Sequence, residues 1–154
     1  MRPPAAPTTV ICSMAEPIHR WPVRVYYEDT DAGGVVYHAQ YLNYCERGRT
    51  EFMRALGLDH RRLLAEYGLI FTVRRATLDL RRPAQLDDAL EVTTAIARMR
   101  GARLDVHQEV RLAADVLAAA DLELAVVGRD LRPRRLPPAL TALFGAWTVA
   151  VGRP

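Results

Sequence analysis

From Trp21 the chain alternates with a period of two. Val23, Val25 and Tyr27 fall on one side and Arg24, Tyr26 and Glu28 on the other, the pattern of a half-buried strand over 21–28. The polar, glycine-bearing run Asp29-Thr30-Asp31-Ala32-Gly33-Gly34 breaks that period and predicts a loop. Beyond it the spacing becomes helical: Leu42, Cys45, Phe52, Met53 and Leu56 recur at offsets of three, four or their sums, and Gly57 stands where a helix C-terminal glycine belongs. A second, shorter helix is expected with Asp59 as its N-cap and Gly68 as its stop.

The remainder reads mostly as strand. Phe71 and Val73 share one parity and Ala76, Leu78 and Leu80 the other, so a bulge or bend is expected near Arg74-Arg75, with Pro83 closing the segment. Leu90, Val92, Thr94 and Ile96 form the next face. Gly101 marks a turn, and Leu104, Val106, Gln108, Val110 and Leu112 then alternate with Asp105, His107, Glu109 and Arg111. After a turn at Ala114-Asp115, Val116, Ala118, Ala120, Leu122, Leu124 and Val126 complete the set. Short connections make the last three strands an antiparallel meander. The long helix is apolar on most of its girth, which predicts a helix surrounded by a curled sheet and an α+β domain.

The ends read differently. Residues 1–18 hold Pro3, Pro4, Pro7 and Pro17 among small residues and suggest a disordered leader with no convincing signal peptide; Met14 reads as the natural start and 1–13 as an upstream extension. The domain is expected over 19–147, with a tail over 148–154. The charge-free run 136–152 is shorter than the ~20 residues of a membrane-spanning helix and is broken by Pro137, Pro138 and Gly145, so it predicts a docked C-terminal helix and no transmembrane segment.

Composition removes several chemistries. All 21 basic residues are arginine, so lysine-dependent phosphate loops and Schiff-base catalysis are excluded. The one serine, Ser13, sits in the leader without an elbow motif. Two cysteines, Cys12 and Cys45, are too few for a thiolate zinc site and read as free thiols in a reducing, cytoplasmic setting. The arginines interleave with 18 carboxylates, and the net charge is only +3 with 7% aromatic residues, so nucleic acid is not an expected partner.

The run Val25-Tyr26-Tyr27-Glu28-Asp29-Thr30-Asp31-Ala32-Gly33-Gly34-Val35-Val36-Tyr37-His38-Ala39, followed by Tyr41 and by Glu46-Arg47-Gly48-Arg49-Thr50-Glu51, resembles the 4-hydroxybenzoyl-CoA thioesterase family of hotdog-fold proteins. Arg20-Trp21-Pro22-Val23-Arg24, Arg82-Pro83-Ala84, Leu86-Asp87-Asp88, Met99-Arg100-Gly101 and 132–137 are similar to its Tol-Pal system-associated acyl-CoA thioesterase subgroup. The resemblance spans about 19–143. It implies a hotdog fold, an antiparallel sheet wrapped round one long central helix. It also implies a homo-oligomer, dimer or dimer of dimers, with sites at the subunit interface, and hydrolysis of acyl-CoA without a cofactor. Acyl carrier protein is a further candidate donor. A hydroxyacyl-carrier-protein dehydratase on the same fold is the weaker reading, because its His-Phe-Pro-type motif is absent. A binding or scaffold protein of the Tol-Pal envelope machinery is the alternative from another class.

For thioester hydrolysis the attacking group or base must be a carboxylate or a histidine, given the remote Ser13, the missing lysine and Cys45 in mid-helix. The resemblance assigns the role to Asp31, as nucleophile or as general base on water. It places the N–H that polarises the carbonyl at His38, whose imidazole also orients the thioester or a water. It makes Tyr27 a site tyrosine that bonds Asp31 or lines the pocket. Gly34, with Gly33, would let the backbone approach the substrate closely. Arg100 and Arg103, flanking Gly101, are the candidate contacts for CoA phosphates, and Arg132, Arg134 and Arg135 form a second candidate patch. Asp29 reads as a cap on the loop backbone, and His19, His60 and His107 as structural or solvated. Gly48 departs from the family pattern and would allow a close contact with another helix or an acyl chain.

Overall fold

A computed structural model describes residues 17–150. Residues 1–16 and 151–154, including most of the expected leader and the end of the expected tail, lie outside the described residues. Strand β1 (His19–Arg24) leads through a single 3-10 turn (Tyr27–Asp29) and a loop to helix α1 (Gln40–Ala55). Helix α2 (His60–Tyr67) and strands β2 (Leu69–Leu80), β3 (Ala89–Arg100), β4 (Arg103–Leu112) and β5 (Asp115–Gly128) follow, and helix α3 (Pro138–Gly145) closes the order. The five strands form one antiparallel sheet in the order β1-β3-β4-β5-β2.

The local signals for both helix ends hold. Asp59 accepts the Arg62 N–H at 2.9 Å, and Gly57 and Gly68 follow the helices with positive φ. The expected bulge is present as a register shift between Val73 and Arg75, with further shifts at Ile96/Arg98 and Val110/Arg111. Each places one extra residue on one strand and increases twist, which helps the sheet curl round α1. The concave face of the sheet, with Val92, Ile96, Leu104, Val106, Val110, Leu122 and Leu124, meets Tyr44, Cys45, Phe52 and Met53 of α1.

One glycine sets how closely the helix sits. A Cβ on Gly48 would lie 2.6 Å from Val92 Cγ1 and 3.1 Å from Val92 Cβ. The close contact expected at Gly48 is therefore with the sheet, not with another helix. Beside it the fully buried Gln108 gives its Nε2 to the Cys45 carbonyl (2.9 Å) and to Thr94 Oγ1 (2.8 Å). Its Oε1 accepts from Arg49 at 2.8 Å. A buried amide with every bond made costs little and ties helix to sheet.

The first strand is shorter than its alternation suggests. It ends at Arg24; Val25 is buried, but Tyr27 lies on the 3-10 turn and is 83% exposed. The chain leaves the sheet because Val25 N–H donates to the Asp88 carbonyl (3.0 Å) and Tyr26 N–H to the Asp29 side chain (2.8 Å). Its apparent alternation past 24 belongs to the turn.

The two sheet edges differ. β1 covers only half of β3. The other half is met by the chain after α3: Ile96 N–H donates to the Trp147 carbonyl, and Val149 N–H to that of Ile96. Thr148 and Val149, assigned by sequence to the tail, are thus paired with the sheet. α3 docks with Leu140 and Phe144 fully buried, as the apolar run 136–152 suggested. β2 is the opposite edge, twelve residues long, and among the described residues nothing pairs with its outer side. No helix among the described residues is long and apolar enough to cross a membrane.

Candidate active site

The loop between β1 and α1 is held at the Ala89 end of β3. Val36 N–H donates to the Ala84 carbonyl (2.9 Å), Val35 bridges Gln85, and Ala84 N–H donates to the buried Tyr41 hydroxyl (3.0 Å). Within the loop, Asp31 N–H donates to the Val35 carbonyl and Gly34 N–H to that of Asp31. Gly34 has φ +77°, a left-handed conformation that favours glycine.

The two loop aspartates have different tasks. Asp29 is 1% exposed, and its carboxylate accepts Tyr26 N–H at 2.8 Å and the Gln40 side-chain amide at 2.6 Å. It is spent on the backbone, as a cap should be. Asp31 is exposed, and one carboxylate oxygen accepts Gly33 N–H at 2.8 Å. A Cβ on Gly33 would come within 3.0 Å of that oxygen. The turn orients the Asp31 side chain while leaving its second oxygen without a hydrogen-bond partner among the described residues.

His38 lies two residues before α1. Among the described residues the N–H groups of His38 and its neighbour Ala39 donate to no acceptor, whereas those of Tyr37 and Gln40 are bonded within the loop. The His38 N–H is therefore an open donor at the positive end of a 16-residue helix. The His38 imidazole is exposed and stacks on Tyr37, ring centroids 4.4 Å apart, with no bond to Asp31. Tyr27 is on the same loop, but its hydroxyl makes no hydrogen bond to Asp31; only its carbonyl is engaged, by Thr30. Asp31, Gly34, His38 and Tyr27 thus share one exposed loop, and one Asp31 carboxylate oxygen and the His38 N–H are among its open polar groups.

Arg100 and Arg103 are not in that group. They sit at the far end of β3 and β4, so the length of the curled strand, at most about 35 Å if fully extended, separates them from the loop end within one chain. They also differ from each other. Arg103 is engaged by Asp105 and Glu123, both at 2.8 Å, while Arg100 forms no ion pair among the described residues. Arg132 and Arg134 share Asp130. Sequence reasoning missed the support of Asp29 by the Gln40 side chain, which Asn43 holds in turn; the signal was only a pair of amides at i and i+3 opening a helix. Glu46 pairs with Arg49 on α1. Beneath the middle of α1 an apolar cavity of about 50 Å³ lies against Phe52, Met53, Phe71, Val106 and Leu124, with Glu46, Arg49 and His60 among its polar lining.

A curled antiparallel sheet round one long helix, with a carboxylate loop feeding the helix N-terminus, is the hotdog fold. The chain belongs to the thioesterase-like superfamily, whose family model matches residues 25–144. It is 46% identical over 130 residues to the acyl-CoA thioester hydrolase YbgC of Escherichia coli, covering 82% of this chain and 96% of that one. It is 42% identical over 125 residues to the acyl-CoA thioesterase YbgC of Haemophilus influenzae, covering 80% and 92%. The crystal structure of a probable thioesterase from Bartonella henselae superposes with a TM-score of 0.75 at 41% identity, covering 78% of this chain and 99% of that one.

Proposed function

We propose that the protein hydrolyses acyl-CoA to the free acid and CoA, with Asp31 as the reacting carboxylate and the His38 N–H as the donor to the thioester oxygen. The observation that carries this is the pairing, on one exposed loop, of a turn-oriented carboxylate with an unsatisfied N–H at a helix start. As negative charge develops on the thioester oxygen, that donor and the helix dipole stabilise it; loss of one such donor typically lowers turnover ~10²–10³-fold. Asp31 either attacks the carbonyl carbon, expelling the CoA thiolate and leaving an anhydride that water opens, or takes a proton from the water that attacks. Single turnover in ¹⁸O-water, followed by mass analysis of the Asp31 peptide and of the acid, separates the routes.

A homo-oligomer supports the same chemistry. If two copies pair antiparallel through β2 about a two-fold near Arg74-Arg75, Phe71 lies opposite Leu78 and Val73 opposite Ala76, apolar against apolar. The Leu80 end of one copy then adjoins the Leu69 end of the other. This moves the hairpin of one copy, with its uncommitted Arg100, toward the Asp31 loop of the other. A site shared in this way explains how an arginine remote within one chain serves the phosphates of CoA.

The test is a panel of short, long and aromatic acyl-CoAs, with the matching acyl-carrier-protein thioesters, assayed on wild type and Asp31→Asn. The expected result is turnover on at least one donor that falls about 10²-fold or more in Asp31→Asn, with an unchanged melting temperature because Asp31 is exposed. Equal rates for the two proteins overturn the assignment. Sedimentation of the wild type and of a β2-edge variant, Val73→Asp, reads the assembly.

A further inference from the structure

We propose that Asp29 and Gln40 form a positioning clamp that sets the distance between the Asp31 carboxylate and the His38 N–H; the inference rests on the hydrolase function proposed above. Asp29 grips the loop at both ends. Its carboxylate takes the Tyr26 N–H (2.8 Å) where the chain enters and the Gln40 side-chain amide (2.6 Å) where the helix begins. Its own carbonyl takes the Tyr37 N–H at 2.8 Å, so the peptide just before His38 is fixed by the same residue. Gln40 is in turn held by Asn43, whose side-chain amide donates to Gln40 Oε1 at 2.8 Å, and by its own N–H on the Tyr37 carbonyl (2.8 Å). A chain of hydrogen bonds therefore runs from the first turn of α1, through Gln40 and Asp29, to the entry of the loop, and Asp31 and His38 hang between its anchored points.

The chemistry of the pair suits fixing a position. A buried carboxylate holds two donors with charge-assisted bonds, stronger than neutral ones, and its burial excludes the water that would compete. Asp29 touches no reacting atom. Its contribution is geometric: a shift of about 1 Å between carboxylate and N–H is enough to cost ~10²-fold in turnover.

Three variants test this. In Asp29→Asn the side chain has one acceptor for two donors, so one of Tyr26 N–H and the Gln40 amide loses its partner. In Gln40→Leu the amide is removed and Asp29 itself is left unaltered. In Asp29→Asn with Gln40→Glu the polarity is exchanged. The oxygen of the introduced amide takes Tyr26 N–H, and its nitrogen donates to the introduced carboxylate, whose other oxygen accepts from Asn43. The expected result is at least a tenfold fall in kcat for each single variant, with KM within threefold, and recovery of most of the kcat in the exchanged double variant. A general structural role would lower the amount of folded protein and would not be restored by swapping the polarity. If Asp29→Asn does not fold, Gln40→Leu and the double variant carry the comparison. Single variants with wild-type kcat, losses confined to KM, or a double variant no better than Asp29→Asn overturn the clamp. Wild type without turnover, or Asp31→Asn equal to wild type, overturns the hydrolase function instead, so the two failures are told apart.

Discussion

Gly48→Ala pits helix propensity against packing. Alanine in a helix interior is favoured over glycine by up to about 1 kcal/mol. Here the new Cβ would stand 2.6 Å from Val92 Cγ1 and 3.4 Å from Gln108 Nε2. Val92 is fully buried on a central strand, and its β-branched side chain has little rotamer freedom, so the helix must move outward. Inserting a methyl into a tight core costs roughly 1–3 kcal/mol, and displacement strains the Gln108 bonds to Cys45 and Thr94. Packing should win, with a net loss of about 1–2 kcal/mol. For a chain of this size that lowers the melting temperature by about 3–8 °C, read by thermal unfolding at one protein concentration so that assembly does not shift the midpoint. Val92→Ala alone should also destabilise, by leaving a void. The double variant Gly48→Ala/Val92→Ala should recover at least about 1 kcal/mol relative to the sum, because the new methyl occupies that void. A Gly48→Ala protein that melts at or above wild type, or strict additivity in the double variant, refutes the close-contact explanation.

Gln108→Leu should lower stability by about 2–4 kcal/mol in urea unfolding, because Arg49 and Thr94 lose a buried partner together. His19 is half-buried against Phe52, with its Nδ1 lacking a partner among the described residues, and burial lowers its pKa below the ordinary 6.5 despite the opposing pull of Glu51. The unfolded chain therefore binds more protons between the folded value and 6.5. Stability from this group is full above the unfolded value and falls as pH drops below it toward the folded one, so His19→Phe should flatten the dependence of melting temperature on pH just below 6.5; an unchanged slope counts against it. Burial pushes the Cys45 thiol up to about 11. Iodoacetamide at neutral pH should leave the Cys45 peptide unmodified in native protein and alkylate it after denaturation, as peptide mass spectrometry would report.

Much of the fold was legible because its signals are local. The helix spacing from Leu42 to Leu56, the Asp59 cap and the parity change at Arg74-Arg75 each depend on residues a few positions apart, and each appears in the structure. The run 21–28 misled for the complementary reason. Alternation also describes a chain that leaves the sheet after Val25, and the partners that pull it away, Asp88 and Asp29, are either distant in sequence or ambiguous in it. Asp29 and Asp31 are the same residue type two positions apart. The motif resemblance already ranks them, and burial supplies the physical difference between a carboxylate consumed by Tyr26 and Gln40 and one left facing outward.

By itself the chain determined its element order, its helix ends, the apolar girth of α1 and the chemistry open to it: no lysine, no serine beyond Ser13, and a carboxylate loop before a helix. These follow from short-range sterics, periodicity and composition. Tertiary structure alone decided how deeply α1 sits, because the clearance at Gly48 is set by Val92 on a strand more than forty residues away. It also decided that Arg103 is neutralised by Asp105 and Glu123 while Arg100 pairs with no carboxylate among the described residues, and that both lie at the opposite end of the sheet from Asp31. Such outcomes depend on cross-strand register and on which strand edge is left unpaired. Those are long-range quantities, and no window of neighbouring residues contains them.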